Sequence, residues 1–111
     1  MNFSEEWDKL KSLEIGKDIT TIRWNDYPLK GIGKIEPIKL SGKLIAKAKL
    51  IGIEFTIMDK LTLDFIQYDT KKDFTKLKFF QMMSQWYSRK PDWRGWNSNV
   101  NIYYLKITEV M

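Results

Sequence analysis

The chain has 111 residues, 43% of them hydrophobic and 14% aromatic, with 19 Lys and Arg against 14 Asp and Glu for a formal net charge of +5. A single domain over residues 1–111 is expected, with a real core, since a domain of this size buries roughly two-thirds of its unfolded surface. There is no Cys and no His, which removes zinc cages, cysteine nucleophiles, imidazole bases and Ser-His-Asp triads; any catalysis must use Lys, Asp, Glu, Thr, Ser or Tyr.

The positive charge is unevenly spread. Residues 30–49 and residues 70–96 each carry +5, whereas residues 1–15 carry −2 and residues 50–69 carry −3. If the two basic segments meet in space they make a basic face, which favours an anionic partner. The chain has no long apolar run and no charged-apolar-small pattern at its start, so a cytoplasmic protein without membrane contact is expected.

In chain order, Phe3, Trp7 and Leu10 lie at helical spacing, with Asn2 or Ser4 available as an N-cap and Glu5 and Glu6 in the first turn. A helix is therefore predicted first, with its acidic residues on a solvated face. It stops at Gly16, where Ile19, Thr20, Thr21 and Ile22 begin a β-branched run suited to a strand. Two residues apart on that strand, Thr21 and Arg23 share a face, and a hydroxyl beside a guanidinium suits an anionic or nucleotide-like ligand.

The spacing Gly16-x-x-x-x-Thr21-x-Arg23, after a short amphipathic helix, resembles the ASCH family, relatives of the PUA-type RNA-binding barrels. That family's signature is Gly-x-Lys-x-x-(Glu or Thr)-x-Arg. Gly16, Thr21 and Arg23 fall on it, whereas Asp18 holds the position of the signature lysine. The order of the later elements is similar over nearly the whole chain. The resemblance implies an α+β fold, a small mixed β-barrel of the PUA-like kind with flanking helices, and RNA or a modified nucleoside as partner. Some small bacterial ASCH proteins of similar layout are 4-acetylcytidine amidohydrolases, thought to use a lysine, a threonine and an acidic residue. Thr21 and Asp69 match the last two. Threonine is a poor nucleophile until its proton is taken, so Asp18 leaves the family route without its activator unless the adjacent Lys17 replaces it.

The stretch from Asn25 to Gly33 is rich in turn formers and reads as a loop, its Gly31-Ile32-Gly33 being a turn rather than a dinucleotide site. Ile35 to Leu40 can form a strand if Pro37 sits at an edge or bulge, and Ser41-Gly42 suits a tight turn. From Lys43 the residues alternate, Gly52 interrupts them, and Ile53, Phe55 and Ile57 resume, as expected of a strand bending round a barrel through a bulge. Its Lys43, Lys47 and Lys49 serve either solvation and edge protection or phosphate contact. Asp59 to Asp69 reads as a short helix, with Asp69 aligned to the family's acidic pocket residue or simply capping the next segment. A longer helix is predicted from Phe74 to Tyr87 on an apolar stripe of Leu77, Phe80, Met83 and Tyr87. Val100, Ile102 and Tyr104 mark a closing strand.

Between these last elements, Trp93 and Trp96 interleave with Arg89, Lys90 and Arg94. This loop either offers base-stacking faces beside phosphate-binding cations or folds back as a lid over the core. The expected site has Thr21, Asp69 and Lys17 as the catalytic set and Arg23, Trp24, Asp18, Arg89, Lys90, Trp93, Arg94 and Trp96 as ligand contacts, with no metal and no cofactor. A nucleic-acid or nucleoside binding module is the first reading. An amidohydrolase or ribonuclease and a protein-interaction domain are the alternatives, and the oligomeric state is not legible.

Overall fold

The computed structural model describes residues 1–3, 8–24 and 31–111, without the side chain of Asp8. Five strands form one sheet: β1 (Asn2–Phe3), β2 (Asp18–Trp24), β3 (Ile35–Leu40), β4 (Lys43–Ile57) and β5 (Asn99–Val110). Their spatial order is β1-β3-β4-β5-β2. Every pairing is antiparallel except β1 with β3. Two helices, α1 (Leu63–Thr70) and α2 (Lys76–Tyr87), lie between β4 and β5 in the chain. The sheet curls into a partial barrel, the α+β, PUA-like layout expected from the sequence.

The local chemistry of the strands explains their shape. Ser41 and Gly42 both have positive φ, 50° and 83°. They join the paired Leu40 and Lys43 in a two-residue hairpin, whose backbone twist matches that of its strands. Pro37 pairs with Lys47 on β4, and β1 flanks β3 only at Lys39 and Leu40, so the proline's missing N–H falls outside the ladder. The register between β4 and β5 shifts at Leu50/Gly52, where Gly52 faces Tyr104. A Cβ built on Gly52 would meet the Tyr104 ring at 3.7 Å. This is the predicted bulge, and it lets the 15-residue β4 serve both ends of the barrel.

Burial divides between the two faces of the sheet. Phe3, Ile19, Ile38, Leu50, Tyr103, Leu105 and Ile107 pack on one face. On the other, Ile22, Val100 and Ile102 meet Ile66 of α1 and Phe79 and Met83 of α2. Both helices begin at threonine caps: the Phe65 N–H donates to Thr62 Oγ1 at 3.2 Å and the Lys78 N–H to Thr75 Oγ1 at 3.1 Å, each cap being worth about 1 kcal/mol. The predicted helix over Asp59 to Asp69 is divided, a 3-10 turn at Met58–Lys60 preceding α1.

The helix predicted at the start is corrected. Asn2 and Phe3 form a strand beside Lys39 and Leu40, and Asp8–Leu10 is a single 3-10 turn; residues 4–7, including Trp7, lie outside the described residues, as does most of the loop predicted from Asn25. A segment this short gains little from helix formation alone, whereas Phe3 as a strand is almost fully buried and its carbonyl accepts from the Ser41 N–H at 2.7 Å.

The Trp93 to Trp96 loop folds back over α2. The Trp96 and Phe80 rings stack with centroids 4.1 Å apart and planes at 12°, and Trp93 lies 6.2 Å from both Phe80 and Tyr87. The loop is tied down by Ser98, whose Oγ accepts from the Arg94 N–H at 2.5 Å and whose carbonyl accepts from the Met58 N–H at 2.9 Å. Trp96→Ala should therefore cost about 2 kcal/mol of stability, less than a fully buried Trp because the ring is only half-buried; denaturant unfolding of the variant and the native chain measures it.

Candidate functional site

Among the described residues the sheet does not close, because β2 at one end of the strand order and β1 at the other do not pair. An unpaired edge leaves main-chain groups in need of partners, and here side chains supply them. Lys9, in the 3-10 turn at Asp8–Leu10, sends its ammonium across the seam to the Thr20 carbonyl at 2.6 Å. It also reaches Asp69 Oδ1 at 3.2 Å, and the Thr20 hydroxyl donates to the same oxygen at 2.6 Å. Further along β2, Arg23 donates from Nη2 to the Asn2 carbonyl and from Nε to Thr21 Oγ1, both at 3.1 Å. The Phe3 ring sits beneath both cations, 4.7 Å from the Arg23 guanidinium and 5.6 Å from the Lys9 ammonium.

A cavity of about 210 Å³ opens at this seam. Lys9, Thr21, Arg23 and Asp69 form its polar side, and Phe79, Met82, Met83, Trp86 and Tyr87 of α2 form an apolar, largely aromatic wall. α2 can present that wall because residues 79, 82, 83, 86 and 87 recur at three- and four-residue spacing on one helix face. Asp69 is 4% exposed and Lys9 5%. Burial holds the Lys9 ammonium below its ordinary value, with Arg23 and Lys71 acting in the same sense and Asp69 opposing them. The polar side thus brings two basic groups and one carboxylate to a space the size of a small ring.

Of the predicted residues, Thr21, Arg23 and Asp69 do converge on one cavity. Arg23 and Thr21 share a face of β2, as their spacing requires. The other predicted residues lie elsewhere. Asp18 is exposed and pairs with Lys106 at 3.4 Å, and Lys17 donates to the Ser12 carbonyl at 3.0 Å. Trp24 is buried against Tyr87, with Lys90 above its ring at 5.7 Å. Arg89, Lys90 and Arg94 are exposed, Trp93 and Trp96 pack on α2, and none of the five lines the cavity. Sequence reasoning missed Lys9, Trp86 and Met82. Lys9 carried no signal, since it stands off the Phe3, Trp7 and Leu10 spacing on which the first segment was read. Trp86 could have been found: it sits at the end of an apolar stripe too broad for one core face. Among the described residues no cluster of three or more acidic side chains could hold a metal ion, and no helix is long and apolar enough to cross a membrane.

The buried Lys9 and Asp69 pair has measurable consequences. Removing one member of a buried pair strands the other, so Lys9→Met should cost about 3–5 kcal/mol. The pH dependence has a definite sign. Between the lowered folded value of Lys9 and its ordinary 10.5, the unfolded chain holds the extra proton, so stability rises with pH across that window. From 10.0 upward Tyr104, raised to about 12 by burial and by its bond to Glu54, keeps its proton when folded and opposes that rise, so stability falls with pH above 10.5. Chemical denaturation from neutrality upward should show the rise in the native chain and its loss in Lys9→Met.

No family model matches the chain, and no curated protein does either. Solved structures do. An ASCH domain from Lactobacillus crispatus superposes with a TM-score of 0.66 at 11% identity, covering 85% of this chain and 66% of that one. A protein from Enterococcus faecalis assigned to the DUF984 family superposes at 0.57 with 12% identity, covering 83% of this chain and 61% of that one. The chain thus spans slightly under two-thirds of the length of each, and identities this low speak for architecture alone. That architecture, a curled five-stranded sheet with two helices, is the ASCH-like fold.

Proposed function

We propose that the seam cavity binds one nucleobase, either of a free modified nucleoside or of an unstacked residue in RNA. The observation that carries this reading is the opposition, across about 210 Å³, of an aromatic wall to a polar side holding Lys9, Arg23 and Asp69. A flat heterocycle needs both: a face to stack on and an edge to hydrogen-bond. The basic segments support a backbone contact. Lys71 lies near enough to lower the Lys9 value, and Lys71, Lys76 and Lys78 lie over the rings of Tyr68, Trp96 and Phe74 at 4.0, 5.5 and 5.8 Å. These lysines stand at the end of α1 and in the first turn of α2, where a phosphate would meet them.

A salt titration of binding to a short single-stranded RNA tests this. Log affinity should fall with log salt at about −0.7 per phosphate contact. Trp86→Ala should weaken binding by about 1–3 kcal/mol with the slope unchanged, and Lys71→Ala should flatten the slope by one contact. Trp93→Ala should do neither. Absence of native binding at low salt, to RNA and to free nucleosides alike, would remove the reading.

A second reading, amide hydrolysis on acetylated cytidine, gains support from Lys9. The signature position is Asp18 on the surface, but an amine is nonetheless buried beside Asp69 in the cavity that Thr21 lines. A lysine held below its ordinary value by burial gives up its proton more readily than an exposed one, and its neutral form can take a hydroxyl proton. If the native chain releases acetate from 4-acetylcytidine, Lys9→Ala and Thr21→Ala should each abolish it, whereas Lys17→Ala should leave it intact and Asp18→Lys should not raise it.

A further inference from the structure

The hydrogen-bond register of β2 determines which of its main-chain groups face the cavity. The Ile107 N–H donates to the Lys17 carbonyl at 2.8 Å, which makes the opposed residues Asp18 and Lys106 a non-hydrogen-bonded pair. The ladder from Asp18 to Trp24 runs without a register shift, so Ile19, Thr21 and Arg23 turn their N–H and C=O towards β5, while Asp18, Thr20, Ile22 and Trp24 turn theirs outward. The Lys9 ammonium on the Thr20 carbonyl verifies this alternation independently. Ile22 is a lining residue of the cavity, and its N–H and C=O point side by side into the seam.

From this we infer that the N–H and C=O of Ile22 read the hydrogen-bonding edge of a pyrimidine, taking the ring nitrogen N3 and the adjacent exocyclic group at C4. The inference rests on the nucleobase reading and adds to it the groups that set specificity. Cytosine offers an acceptor and a donor at these two positions, and uracil a donor and an acceptor. Either pattern complements a side-by-side donor and acceptor, with Arg23 and Asp69 left to favour one orientation. The hydrogen bonds that Lys9 and Thr20 donate to Asp69 both fall on Oδ1, so Oδ2 is available for an exocyclic amine.

An exposed strand edge more commonly accepts an extended peptide. Here Lys9 already holds the Thr20 carbonyl, so beyond that bridge the edge turns outward only at Ile22 and Trp24 before β2 ends. That is enough for one ring and short of the several residues over which a strand pairs. The aromatic wall of α2 beside it stacks a ring and offers a peptide nothing specific. The cavity is also smaller than the roughly 300 Å³ at which drug-sized pockets begin, which favours a single ring over a purine with a large substituent.

The test uses uridine, 5-methyluridine and 3-methyluridine, all neutral, with the isotope-labelled full chain observed by amide NMR and Trp86 fluorescence. A methyl group at C5 leaves the edge free, whereas one at N3 blocks it and strands the Ile22 carbonyl. Uridine and 5-methyluridine should shift the Ile22 amide and quench Trp86, and 3-methyluridine should bind about tenfold more weakly or worse. If all three bind alike and the Ile22 amide does not move, the edge readout is wrong although the nucleobase reading stands. If none of the three, nor cytidine, perturbs either probe, both fall. If an extended peptide shifts the Ile22 amide and no nucleoside does, the seam is a strand-addition site and the inference is overturned.

Discussion

The buried contact between Lys9 and Asp69 is where the fold and the site depend on the same atoms. A curled sheet of five strands whose end strands do not meet must satisfy the edge of β2 by some means other than pairing. Lys9 does so at the Thr20 carbonyl and is itself held by Asp69 from α1. The interaction ties three distant parts of the chain together: the 3-10 turn at Asp8–Leu10, the edge strand and the first helix. Burying two charges is costly, and burial holds Lys9 below its ordinary value although Asp69 acts in the opposite sense. An ion pair that does not maximise stability, placed at the rim of a cavity, is how binding sites commonly differ from cores.

The seam also explains why the cavity has two unlike sides. β2 contributes polar groups because Thr21 and Arg23 face the Phe3 side and Thr20 turns its hydroxyl to α1. α2 contributes an apolar wall because its broad stripe exceeds what the sheet can cover. Phe79 and Met83 go into the core, and Trp86, 39% exposed, is left at the opening. Phe74 and Met82 touch both core clusters, so the wall is anchored to each face of the sheet and does not depend on a loop for its position.

The lysines before and within the first turn of α2 oppose the helix dipole, and their contacts show what offsets that cost. Lys72 and Lys78 lie over Phe74, Lys76 over Trp96, and Lys71 over Tyr68. Cation–aromatic contacts of this kind are worth about 0.5–1 kcal/mol each at exposed sites, comparable to the unfavourable dipole term. Lys76 also pairs with Asp59 at 3.7 Å. Four of the seven cations in the basic segment 70–96 are thereby held against aromatic rings rather than left in solvent alone.

Local chemistry alone made several features legible. The start of β2 after Gly16, the shared face of Thr21 and Arg23, the Ser41-Gly42 hairpin, the exemption of Pro37, the bulge at Gly52 and the extent of α2 all arise from φ preferences and side-chain periods that act within a few residues. Asp69 was legible only through the family resemblance. What tertiary structure decided was of another kind. The strand at Asn2 and Phe3 exists because a hairpin some forty residues away offers it main-chain partners. Trp93 and Trp96 became a lid because Phe80 and Ser98 hold them. Lys9 became part of the site because β1 and β2 fail to meet, leaving a carbonyl to be satisfied and a carboxylate 60 residues distant to balance the charge. No pattern within a window of sequence encodes an unpaired edge, since which strand lies last in a sheet is settled by long-range pairing and loop-closure entropy rather than by the residues of that strand.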